Sequence, residues 1–181
     1  LSGVTFAQEP PTATQFRQSI DGIGHMVLVP YYTAQPGNAT LLNIINTDPI
    51  HGKAVKVRFR GASNADDVYN FTLFLAPGDV WAGEVSQNPT TGMAPVASVD
   101  LSCTLPAQAN GDFRTSRVNP AADLANETRE GYVEILTMAD VLPGTAVYTA
   151  TRHVKGVPPA PCSQGATSPT ALSALLTESV V

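Results

Sequence analysis

The stretch Lys53–Leu75, KAVKVRFRGASNADDVYNFTLFL, decides the fold. Val55, Val57 and Phe59 alternate with Lys56, Arg58 and Arg60, so one side of the segment is oily and the other cationic. A period of two belongs to a β-strand with one buried face, because successive side chains project to opposite sides of the pleat. After the turn-forming run Gly61–Asp67 the pattern resumes over Val68–Leu75. There Tyr69, Phe71, Leu73 and Leu75 share a face, with Asn70 and Thr72 opposite. Ala76-Pro77-Gly78-Asp79 puts Pro and Gly at the central positions of a type II turn, and Asp79–Ser86, carrying Trp81, follows. Three strands joined by short connections predict an antiparallel meander.

Outward from this centre the same pattern recurs. His25–Thr33 is rich in β-branched and aromatic residues, and Pro30, which has no N–H to donate, predicts an edge strand or a bulge. Gln35–Asn38 reads as a turn, Ala39–Thr47 as a strand and Thr47–Gly52 as a loop. Val96–Leu101, Glu130–Thr137 and Ala146–Thr151 are further strand candidates. Pro106–Asn126 reads as a long irregular excursion with a helical turn at Ala121–Ala125, and Gly156–Pro169 as loop. Ser168 and Pro169 suit the start of a short C-terminal helix, with Leu172, Leu175, Leu176 and Val180 on one face.

No helical pattern alternates with the strands, which argues against a βαβ architecture. The expectation is an all-β, antiparallel β-sandwich, Ig-like or jelly-roll-like, with long loops. Residues 1–24 are expected to form an extended arm and 25–160 the sandwich. Residues 161–181 are expected to form a Pro/Ser-rich linker and an apolar tail that begins a further segment.

Charged residues make up 14% of the chain against about 25% in an average domain, so neighbouring subunits are expected to cover part of the surface. The net charge of −5 lacks the basic footprint that nucleic acid requires. No apolar run is long enough for a bilayer-spanning helix, and the start at Leu1 reads as a mature form or a fragment. The two cysteines, Cys103 and Cys162, lie in polar, Pro-rich and exposed-looking surroundings, outside any CxxC or metal spacing. They read as one disulfide of an oxidising compartment, contributing about 4 kcal/mol, or as two thiols of a reducing one.

Five oxygen-bearing residues in the loops, Asp48, Asn64, Asp66, Asp67 and Asp79, are candidate ligands for calcium, which takes six to eight oxygens. Asn and Asp also favour turns for local hydrogen-bonding reasons. The stripe Lys56, Arg58 and Arg60 needs compensation, since like charges on one face repel. Glu130 and Glu134 on a neighbouring strand, an acidic surface of an adjacent subunit, or lipopolysaccharide phosphate would supply it. A solvated stripe on an edge strand is the other reading. Catalytic patterns are missing: His25, His51 and His153 are scattered, and nothing brings Glu84, Glu130 and Glu134 together as a carboxylate pair. The chain is therefore read as no enzyme. Trp81, Tyr31, Tyr32 and Tyr69 read as core residues or as a sugar-stacking platform.

The segment Leu41–Gln87, LLNIINTDPIHGKAVKVRFRGASNADDVYNFTLFLAPGDVWAGEVSQ, resembles a group of secreted cell-surface proteins of Gram-negative bacteria. Cys103-Thr104, Phe113-Arg114-Thr115 and Thr128–Glu134 are similar to its later segments, so the resemblance covers most of 28–138. It implies an extracellular, self-assembling surface-layer protein that forms a homo-oligomeric lattice on the bacterial outer membrane and uses calcium within or between subunits. It also implies a parent longer than this chain. A secreted adhesin or carbohydrate-binding module is the alternative.

Overall fold

A computed structural model describes residues 15, 17–106, 111–118 and 123–156. The expected arm over 1–24 falls mostly outside the described residues, as do Cys162, the linker and tail over 161–181 and the C-terminal helix expected there.

The described residues form nine strands: β1 (Met26–Thr33), β2 (Ala39–Ile45), β3 (Gly52–Gly61), β4 (Asp67–Leu75), β5 (Val80–Ser86), β6 (Pro95–Ala97), β7 (Cys103–Leu105), β8 (Gly111–Asp112) and β9 (Glu130–Val141). They build an all-β sandwich of two antiparallel sheets, one ordered β1-β9-β3-β4-β7 and the other β2-β5-β6-β8. The alternation in β3 is realised as expected: Val55, Val57 and Phe59 are buried, and Lys56, Arg58 and Arg60 lie on the outer face. Pro30 falls where the register between β1 and β9 shifts, and β1 is an edge strand.

The interior is filled from both sheets. Val55, Val57, Phe59, Phe71 and Leu73 of the first meet Leu42, Ile44, Trp81, Val85 and Val96 of the second. Phe71 and Trp81 lie 5.3 Å apart between ring centres. Tyr32, Phe59, Tyr69 and Phe113 form a connected aromatic group, with Tyr69 stacked on Phe113 at 5.6 Å. Such pairs add stability beyond the area they bury.

Three expectations are corrected. The meander breaks after β4: β5 leaves the first sheet and pairs with β2 and β6 in the second. Ala76–Asp79 does form the tight turn, with Gly78 at φ 69° and Asp79 N–H donating to Ala76 C=O at 3.1 Å. The turn hands the chain across the core, because Trp81 must project inward from the opposing sheet. The place beside β4 is taken by β7.

Ala146–Thr151 is a short helix, α1, not a strand. Thr145 caps it by accepting a hydrogen bond from Tyr148 N–H, and local capping outweighs the β-leaning composition. The helix covers one end of the outer face of the first sheet, where Val147 packs with Ala54, Phe74, Cys103 and Val141. Thirdly, β3 lies at the centre of its sheet, so the cationic stripe does not sit on an edge.

Gly131 marks a close approach in β9. A Cβ there would run into the Arg60 carbonyl and the Tyr32 ring. Gly131→Ala is therefore expected to destabilise the protein although it adds a methyl group, and Phe59→Ala to cost about 3–5 kcal/mol through the cavity it leaves. Urea unfolding of the two variants against the wild type measures both.

Candidate functional site

The cationic stripe is largely neutralised from within the sheet. Arg58 Nε donates to Asp67 Oδ2 at 3.1 Å, and Arg60 Nε to Glu134 Oε2 at 3.0 Å. Arg58 Nη1 lies 3.9 Å from Glu134 as well. Pairing β3 with β4 on one side and β9 on the other brings these carboxylates to the stripe. Glu130 is not part of this group; it accepts from the Tyr31 hydroxyl at 2.9 Å. Lys56 stays outside the network and makes no ion pair among the described residues. Burial lowers its pKa, opposed by Asp67 and reinforced by Arg58.

The five candidate calcium ligands do not converge. Asp48 and Asp79 sit at one end of β3, and Asn64, Asp66 and Asp67 follow its other end. Ten residues of strand separate the two groups, roughly 30 Å. Each carboxylate is already engaged. Asp66 Oδ1 accepts from Arg117 at 3.0 Å, and Asp67 holds Arg58 and Asn70. Asp79 accepts from the Ala76 and Val80 amides. Asn64 Oδ1 accepts from the Asp66 amide. Among the described residues, no three His, Cys, Asp or Glu side chains are grouped to hold a metal ion.

The densest polar cluster lies where β2 turns into β3. Asn46, 3% exposed, donates from Nδ2 to the carbonyls of His51 and Ala76 at 2.8 Å each, so it ties the β2–β3 loop to the turn after β4. Beside it Asp48 accepts from the His51 and Ile50 amides and from Lys53 Nζ at 2.9 Å, and these bonds hold its carboxyl far below the usual range. Lys53 also reaches Asp140 at 2.6 Å. Burial disfavours its charge, but the two carboxylates overcome that and raise its pKa.

Lys53 shares the inward parity of Val55 and Val57. It therefore ends in a groove of about 480 Å³ between the sheets. Ile23, Val27, Ile44 and Ile135 make the oily part of the lining, and Asn46 and Asp48 the polar end. Near Asp79 a second cluster gathers Ser102, whose hydroxyl lies 2.6 Å from Asp100 Oδ1 and 3.2 Å from Asp79 Oδ2. His153 Nε2 stands 3.5 Å from the same Asp79 oxygen, too long for a hydrogen bond.

The carboxylates considered for hydrolysis are dispersed. Glu84 is exposed on the second sheet, whereas Glu130 and Glu134 lie on the outer face of the first, four residues apart along one strand, roughly 13 Å. Trp81, Tyr32 and Tyr69 are core residues, while Tyr31 is exposed. Cys103 is 2% exposed beneath α1, against the exposed position its polar flanks suggested. Its expected partner, Cys162, lies outside the described residues. Asn46 and Lys53 are the structurally central polar residues that pattern reading passed over; both stand at strand ends on the inward parity, where a polar residue reads as the start of a loop.

No protein-family model, no curated protein and no solved structure matches the chain.

A carboxyl held below its ordinary value of about 4 contributes stability above that pH and loses it as pH falls through the lowered value. Asp48→Asn is therefore expected to lower Tm at neutral pH. The gap from wild type should narrow as the medium is acidified below about pH 4. Thermal melts of both proteins across pH 2–7 would read this; a gap that does not change with pH would contradict the role given to Asp48.

Proposed function

We propose that this protein is a structural subunit that self-assembles into a layer on the outer surface of a bacterial cell. One observation carries the reading: both sheets of the sandwich turn oily side chains to their outer faces. On the first sheet these are Met26 and Leu28; on the second they are Leu41, Ile45 and Val80. Leu41 is 73% exposed. Together with a charged fraction of only 14%, such faces mark a surface that is covered by other protein. The resemblance of Leu41–Gln87 to secreted surface proteins points the same way.

Arg58 and Arg60 spend their charge inside the sheet, which leaves little of the stripe for lipopolysaccharide phosphate and favours protein as the partner. Calcium remains an arm of the test. An adhesin or carbohydrate-binding module is the second reading, and the groove between the sheets would serve it. Among the described residues its lining holds no Trp, Tyr or Phe on which a sugar ring could stack, so it ranks below assembly.

Negative-stain microscopy and sedimentation of the purified chain, with calcium and with EDTA, are expected to detect ordered oligomers that grow with concentration. A protein that stays monomeric at high concentration in both conditions would overturn the reading.

Export to an oxidising compartment is part of the same proposal, and with it a Cys103–Cys162 disulfide. The intact mass before reduction is then expected to be lower by two hydrogens than after it. Reduction should cost about 4 kcal/mol in urea unfolding. Free thiols in protein recovered from the cell surface would count against both.

A further inference from the structure

We infer that copies of the chain stack face to back, the outer face of the five-stranded sheet of one copy lying on the outer face of the four-stranded sheet of the next, with Lys56 set against Glu84. This rests on the assembly reading above and specifies the contact.

The two faces follow from strand register. On the first sheet Thr72, Lys56, Leu136 and Met26 form one row across β4, β3, β9 and β1. The next row is Asn70, Arg58, Glu134 and Leu28. Arg58 and Glu134 balance each other within their row. Lys56 has no counter-charge in its own, and it stands between a threonine and a leucine whose neighbour is an exposed methionine. α1 covers the sheet beyond this row, over Ala54 and Phe74. Among the described residues, the uncovered part of the face therefore begins at Lys56.

The second sheet has the converse pattern. Leu41, Glu84 and Ala97 form one row across β2, β5 and β6; Asn43 and Ala82 form the next, and Ile45 and Val80 the last. Glu84 is exposed, and its side chain makes no ion pair or hydrogen bond among the described residues. It is the acidic side chain of these rows, beside Leu41, Ile45, Val80, Asn43 and two alanines, and Asp100 borders the patch by accepting from the Ala82 amide. One face thus carries a cation that makes no ion pair among the described residues, beside oily residues, and the other an anion that makes none, beside oily residues.

Stacking like on like would enclose two cations, or two anions, in one oily contact with no counter-charge between them, and opposed like charges at an interface cost several kcal/mol. Stacking unlike faces pairs the charges and buries Met26 and Leu28 against the Leu41–Val80 patch at the usual face-to-face spacing of about 10 Å. Each copy then offers a different face on each side. Such a head-to-tail contact propagates unless its rotation closes a ring.

Charge reversal tests this in the full chain. Lys56→Glu and Glu84→Lys are each expected to raise the concentration needed for assembly at least about tenfold, since each opposes like charges. An equimolar mixture of the two variants is expected to assemble again, because alternating the two pairs a cation with an anion at every contact. The double variant should do the same.

If the wild type assembles and both single variants match it, the stacking is wrong and the assembly reading stands. If the singles are impaired and the mixture is not restored, face-to-back pairing is overturned. If the wild type never assembles, both fall. Should a reversal variant lose the wild-type circular dichroism spectrum, Lys56→Gln and Glu84→Gln take its place. They are expected to remove the salt sensitivity of assembly, and a salt response equal to that of the wild type would overturn the contact.

Discussion

The register of β3 is the constraint on which the molecule depends. This strand is central in its sheet, hydrogen-bonded to β4 on one side and β9 on the other. From Val55 to Arg60 its alternation is strict, so a slip of one residue would carry Lys56, Arg58 and Arg60 into the core and expel Val55, Val57 and Phe59. Burying three cations without partners is far costlier than any rearrangement of loops could repay. One register therefore survives, and it fixes both neighbouring strands. The same parity sends Lys53 inward to the groove and places Asp67 and Glu134 beside the arginines.

A second group of contacts holds the two sheets to each other. Trp81 lies over Gly83 and against Phe71, so the large ring fits only because its own strand offers a glycine beneath it. Asn46 spans the ends of β2 and β4 from a buried position. At the far end Thr128 is fully buried; its hydroxyl accepts from the Ala94 amide and donates to Ala125, and its carbonyl accepts from the Tyr32 hydroxyl. Buried polar groups with complete hydrogen bonding stiffen a fold, and here they sit at both ends of the sandwich.

The centre of this architecture was legible in the residues. The alternation of β3 and β4, the bulge at Pro30 and the tight turn at Pro77-Gly78 are local properties, and local chemistry determines them. What lay beyond reach were decisions made at long range. A tight turn serves a hairpin and a crossover between sheets equally well, so the destination of β5 depended on where Trp81 could be buried. Ala146–Thr151 has strand-like composition, and its helical state follows from the Thr145 cap and from packing on Phe74 and Val141. The acidic residues looked like one candidate cluster along the chain because sequence distance conceals the length of β3. Compensation of the stripe by Glu134 was foreseeable from charge alone; that Lys56 would be left out was not.

Pro30 carries a consequence beyond the local bend. An abundant β-protein runs the danger that exposed strand borders zip onto one another and grow into fibres. Along the β1 border the ladder is interrupted by a residue with no amide proton, at a point where the backbone also shifts. At the opposite borders β7 and β8 have three and two residues among those described, too short to template a partner. Such a molecule can be crowded at high density with the amyloid route closed on those sides.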